Sequence, residues 1–202
     1  CVAALISLFV LACLINSGPI IADGKENLTT ASNLIRYGIF SSADDSVPLP
    51  DMKREPAWPT LTAGLLLLSG LYQIEPDKLA TQHQVLFKEM NAVFLALVVG
   101  FASGLAWFWA RRRLLAWIIA LVLALAALTT MPRLVNYFNN EPLAMLLVLA
   151  ASALTFFASR GTWRSAVSLG LALGLLALTK AQFLYIAFIP IVALGFMSKK
   201  QA

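Results

Sequence analysis

The sequence has 202 residues, of which 60% are hydrophobic and only 12% charged, and its mean hydropathy is +0.81. Soluble domains carry closer to about a quarter charged residues, so this composition excludes an ordinary water-soluble globule and indicates a membrane protein. The net charge of +5 comes without the interleaved basic and aromatic residues that suit nucleic acid, so no nucleic-acid partner is expected. An excess of Lys and Arg in cytoplasmic loops accounts for it.

In chain order, the first apolar run, 1–15, is shorter than the roughly 20 residues that a helical span needs. It reads as the end of a helix that begins upstream, in a chain taken as truncated at both ends. Its cysteines, Cys1 and Cys13, show no disulfide or metal spacing. A polar stretch, 16–84, follows. Within it, Asp23 and Glu26 have the spacing of a helix N-cap pair. Leu28, Ala31, Leu34 and Ile35 recur at helical spacing, and Gly38 offers a C-terminal stop. Together they predict a short amphipathic helix lying on the membrane surface. Residues 41–50 read as irregular, and the apolar run 60–72, bounded by Pro59 and Pro76, suits a re-entrant or interfacial helix.

Further spans are predicted over 85–110, 114–131, 141–158, 165–179 and 182–197. The basic groups Arg111–Arg113, Arg160 with Arg164, and Lys199–Lys200 then belong in the cytoplasm. Six spans with a cytoplasmic N-terminus satisfy this and put 16–84 outside, whereas counting 60–72 as a seventh span reverses that loop. The fold expected is an all-α membrane protein with about six transmembrane helices and a long outer first loop carrying juxtamembrane helices. Gly100 with Gly104, and Gly170 with Gly174, have the small-x-x-x-small spacing of close helix contacts. Trp107, Trp109 and Trp117 suit an interfacial aromatic belt.

Against this apolar background a few polar residues could carry chemistry. Asp23 stands where the first helix leaves the membrane, placed either as a general base or as a helix cap. Lys53 and Arg54, followed by Glu55, Pro56 and Trp58, form a compact cationic pair suited to a lipid phosphate, or a solvated cluster at a helix entrance. Glu141 lies on the same face, either in an ordinary Asn140-Glu141-Pro142 helix start or lining a site opposite Asp23. Lys180 sits between two apolar runs with almost no polar loop; an ionisable residue at membrane depth is a functional candidate, with snorkelling to the interface as the alternative. Arg133 could add to a phosphate site, though a rim anchor fits it better, and His83 has no partner at ligand spacing. No metal-ligand cluster, P-loop, nucleophile elbow or dinucleotide fingerprint occurs, so soluble-type hydrolase, kinase or dehydrogenase chemistry is not expected.

The order of these features resembles that of the multispanning GT-C glycosyltransferases that use polyprenyl-linked sugars. An aspartate after the first span is followed by Asn33-Leu34-Ile35-Arg36-Tyr37-Gly38, Arg54-Glu55-Pro56-Ala57-Trp58-Pro59, Asn140-Glu141-Pro142-Leu143-Ala144 and Leu178-Thr179-Lys180. The group of protein O-mannosyltransferases and lipid A aminoarabinose transferases is the most similar, and the resemblance covers only the N-terminal membrane half of such enzymes. It implies sugar transfer from a polyprenyl phosphate donor to a lipid, glycan or protein acceptor on the non-cytoplasmic face, in a bacterial inner membrane. It also implies Asp23 as base, with Lys53, Arg54 and Lys180 holding the carrier phosphate. The family often has a second acid after the aspartate, where this chain has Gly24; no cofactor is firmly implied, and a divalent metal has no support from the residues. The missing C-terminal half makes the isolated chain an expected inactive fragment. The alternatives are a transporter or flippase for a lipid-linked or anionic substrate, and a non-catalytic membrane scaffold.

Overall fold

The computed structural model describes residues 2–45, 48–51, 53–110, 118, 132–160, 162–186 and 188–192. All regular structure among them is helical, and the helices are α1 Val2–Cys13, α2 Asp23–Tyr37, α3 Ala57–Ser69, α4 Pro76–Gln82, α5 Gln84–Ala110, α6 Glu141–Ala158, α7 Trp163–Thr179 and α8 Phe183–Ile186. A short helical turn also covers 132–136. The Arg111–Arg113 cluster, Trp117, Lys199–Lys200 and, except for Ile118, the span expected over 114–131 lie outside the described residues.

Two segments, Gln84–Phe108 and Glu141–Ala158, are long and apolar enough to cross a membrane. Only 33% and 28% of their most apolar windows are buried, so most of their side chains, Leu97, Phe101 and Met145 among them, face outward. An aliphatic surface of that kind is costly in water and suits hydrocarbon. The expected count of six spans is not met among the described residues. With a rise of about 1.5 Å per residue, α1 and α7 fall short of the roughly 30 Å hydrocarbon core.

α5 is the spine. α1 packs along its middle, where Leu11 joins Ala92, Leu95, Ala96 and Val99. Gly100 allows this contact: a Cβ there would stand 2.7 Å from Ala4 Cβ. Among the described residues Gly104, Gly170 and Gly174 have nothing within 4 Å of such a Cβ, so there only Gly100 of the four expected close-contact glycines serves that purpose.

The polar stretch folds over the start of α5. Trp58, fully buried at the base of α3, packs against Phe94 and Phe138 with ring centroids 5.7 and 5.3 Å apart. Leu28, Leu66, Leu79 and Phe87 complete that core. α2 ends as its sequence predicts, with Gly38 left-handed at φ 66°. Its middle is packed inside the protein, however. Residues Asn27 through Asn33 are buried without a break, because α3 and α4 cover one side and the 41–51 segment ties onto the other. Asn33 Nδ2 donates to the Ser41 and Ala43 carbonyls, and Asp51 accepts from the Ser42 N–H and from the Ser41 and Ser42 hydroxyls. The short apolar helix is present as α3, starting and ending three residues earlier than expected because Gly70, left-handed at φ 74°, stops it.

Candidate functional site

The two ends of the 16–59 loop meet. Asp23 opens α2, but it caps nothing: the N-cap position is Ala22, at φ 50° and ψ −127°, and no side chain caps the helix. The capping reading of Asp23 and Glu26 fails because their carboxylates are engaged elsewhere. Arg54 Nη2 donates to Asp23 Oδ1 at 2.5 Å. Arg54 Nε donates to Glu26 Oε2 at 2.7 Å, Arg54 Nη2 donates to the same oxygen, and Lys53 Nζ donates to Glu26 Oε1 at 2.7 Å. Buried Trp58 and Pro59 fix the limb that carries these cations, so the guanidinium is held where α2 begins.

Gly24 brings α2 into place. A Cβ on it would stand 2.5 Å from Ile20 Cγ2 and 2.8 Å from the Phe138 carbonyl oxygen, so a side chain after Asp23, acidic or otherwise, has no room. Asp23 itself is 71% exposed, Glu26 29% and Arg54 15%. The hydrogen bond from Arg54, opposed by burial, holds the Asp23 carboxyl below its ordinary 3.8; the charges of Arg54, Lys53 and Lys180 add to this. Glu26 is likewise held below 4.5, first by Lys53 and then, against burial, by Arg54. Both acids are therefore anionic at neutral pH.

A second charge pair stands close enough for Lys180 to act on Asp23. Lys180 Nζ donates to Glu141 Oε1 at 2.8 Å, joining the start of α6 to the end of α7. The expected Asn140 cap is not made; its Nδ2 donates instead to the Thr179 carbonyl at 2.6 Å, because the α7 terminus offers an acceptor that α6 does not. Glu141 Oε2 and Asn139 Oδ1 are buried without a partner among the described residues.

Two apolar grooves flank this crossing. One, of about 410 Å³, is walled by Pro56, Ala57, Leu61, Phe94, Leu147 and Leu178 and begins two residues after Arg54. The other, of about 560 Å³, is lined by Val98, Met145, Leu149 and Phe183 together with Glu141 and Lys180. A hydrophobic slot with a lysine in its wall can seat an amphiphile with an anionic head, and the second groove has Lys180 there.

Of the residues singled out in the sequence, Asp23, Lys53 and Arg54 form one cluster, and Glu141 and Lys180 form a second pair whose cation acts on Asp23 through its charge. Glu55 is half-buried and joins none of these pairs among the described residues. Arg133 stacks over the Tyr137 ring at 5.5 Å, away from the pairs. Among the described residues no three His, Cys, Asp or Glu side chains are grouped to hold a metal ion.

The sequence reading missed two residues. Glu26 carries both cations of the 53–54 limb, and its spacing to Asp23 was open to view but read as a cap. Lys88, near the start of α5, is 1% exposed. Its Nζ donates to the Asn16 carbonyl and side-chain oxygens at 2.9 and 2.7 Å and to the Gly18 carbonyl at 2.5 Å, fixing the turn that leads from α1 toward Asp23. A lysine inside an apolar helix was the available signal. In comparisons with known proteins, no family model, curated protein or solved structure matches this chain.

Proposed function

We propose that the chain is the N-terminal membrane module of an integral membrane glycosyltransferase, with its site on the non-cytoplasmic face. Its reaction moves a sugar from a polyprenyl phosphate carrier to an acceptor hydroxyl or phosphate. The observation that carries this reading is the ion pair of Asp23 with Arg54, on the limb that runs two residues later into the wall of one apolar groove at Pro56, together with the Lys180–Glu141 pair that lines the other. In this scheme the groove takes the prenyl chain and Arg54, Lys53 and Lys180 face the phosphate. Fixed cations contribute most as negative charge grows on the departing carrier phosphate. Asp23 accepts the proton of the attacking hydroxyl: one oxygen is held by Arg54, while the other accepts no hydrogen bond among the described residues. Six spans, with the 16–84 loop outside a bacterial inner membrane, belong to the same proposal.

Asp23→Asn keeps the shape of the side chain and its contact with Arg54 but removes the basic oxygen. In the full-length enzyme, assayed with a labelled polyprenyl phosphate sugar, transfer should fall by about 10²–10⁴-fold. Retention of full activity would overturn the assignment of Asp23 as the base.

A further inference from the structure

The charges of the cluster balance, which poses a problem for any anionic ligand. Asp23, Glu26 and Glu141 face Lys53, Arg54 and Lys180, and every cation already has a carboxylate partner. An entering anion must take a cation from an acid or use donors that the acids leave unused. The two acids on Arg54 differ in how they are held. Asp23 is 71% exposed and has a single partner, whereas Glu26 is 29% exposed and spans Lys53 and Arg54 with its two oxygens. Arg54 Nη1 makes no hydrogen bond among the described residues, and Lys53 Nζ uses only its bond to Glu26. The planar fork of a guanidinium can thus stay docked on one carboxylate through one edge while its other edge takes a new anion.

We propose that Glu26 is the positioning residue of this site, clamping Lys53 and Arg54 side by side as one phosphate-binding fork, and that an anionic headgroup enters by displacing Asp23 from Arg54. Arg54 then holds one oxygen of Asp23 while the site is empty and releases it when the anion arrives, so both oxygens of the base are open only after the donor has bound. The two carboxylates have opposite roles toward the ligand: Glu26 builds the fork and Asp23 competes for it. The idea rests on reading the cluster as an anion site, but it does not depend on sugar transfer.

The test is binding of farnesyl phosphate to the full chain in lipid nanodiscs, followed calorimetrically, with farnesol and inorganic phosphate as separate arms. Farnesyl phosphate should bind more tightly than either, since it alone fills both fork and groove. Asp23→Asn should tighten its binding by up to about fivefold, the scale of a lost exposed ion pair. Glu26→Gln, isosteric with the original, should weaken binding by about tenfold or more, the scale of a lost charge-assisted contact. A purely structural role for the two acids would move both variants in the same direction, and that outcome overturns the inference while leaving the proposed function standing. Tighter binding by Glu26→Gln would make Glu26 a competitor and overturn it as well. Wild-type chain that binds farnesyl phosphate no better than farnesol would overturn both the inference and the proposed anion site. The melting temperature of each variant, taken in the same nanodiscs, separates lost binding from lost fold, and Asp23→Asn alters a residue exposed enough to leave the fold intact.

Discussion

A carboxylate held on one oxygen and unbonded on the other titrates in a way that can be measured. Arg54 keeps Asp23 below its ordinary 3.8, and a general base works only when deprotonated, so the acid limb of the kcat/KM profile should lie below pH 3.8. Arg54→Met removes the largest stabiliser of the anion, and the limb should move upward while the rate falls. A limb that stays in place would show that another group sets it. Gly24 has a different kind of importance. A methyl group there overlaps Ile20 Cγ2 and the Phe138 carbonyl, at 2.5 and 2.8 Å, and the latter belongs to backbone with little freedom to shift. Gly24→Ala should lower stability by about 1–3 kcal/mol, read as a lower melting temperature in detergent, and should displace Asp23 with the first turn of α2. An unchanged melting temperature would mean that α2 and the 138 segment separate easily.

At the scale of elements, α6 and α7 share an apolar seam of Ala151 with Leu169, Ala172 and Leu173, and their junction is tied by an ion pair, Lys180–Glu141, and by a side-chain hydrogen bond from Asn140 to the Thr179 carbonyl. The pair is partly exposed, with side-chain exposures of 25% and 38%, although Glu141 Oε2 is buried. Removing one partner leaves a carboxylate or an ammonium without compensation, whereas replacing both by apolar groups removes the desolvation cost as well. Lys180→Met alone should therefore destabilise by about 1–3 kcal/mol, and Lys180→Met with Glu141→Leu should cost less than Lys180→Met alone. Thermal melts of the two proteins decide it; additive losses would mean that the pair is not energetically coupled. The apolar helices made the opposite demand on the sequence reading. Their existence followed from composition and periodicity, while the burial of α2 did not, because seven consecutive buried positions, from Asn27 to Asn33, cannot be deduced from one stripe of Leu and Ile. Polar residues such as Thr29, Thr30 and Asn33 are buried there because helix carbonyls and the 41–43 backbone satisfy their side chains.

For the whole molecule, the proposed topology puts the 16–84 loop and the Arg160–Arg164 turn on opposite faces of a bilayer. Asp44 and Thr162 are exposed. In a background lacking Cys1 and Cys13, an impermeant thiol reagent added outside should label Asp44→Cys and spare Thr162→Cys. Labelling of both from one side would refute the six-span arrangement and, with it, the outer position of the site.

The sequence alone determined that the chain is apolar and rich in helix, because composition and hydrophobic runs are local properties that survive any arrangement; of the six spans it predicted, two are long and apolar enough to cross a membrane among the described residues. It also exposed its sparse charges, since ionisable residues are conspicuous in such a background, and it placed the glycine stop of α2 from local backbone preference. What only the tertiary structure decided is which charges face one another. Asp23 and Arg54 are joined across the loop because Trp58, packed on Phe94 and Phe138, anchors one end of it, and because Gly24 lets the other end close against Phe138. Glu26 became the clamp of the cationic fork rather than half of a helix cap by the same long-range packing. Sequence spacing describes what a carboxylate can do within its own helix; the competing partner, 27 or 28 positions away, acts only when folding brings it within reach.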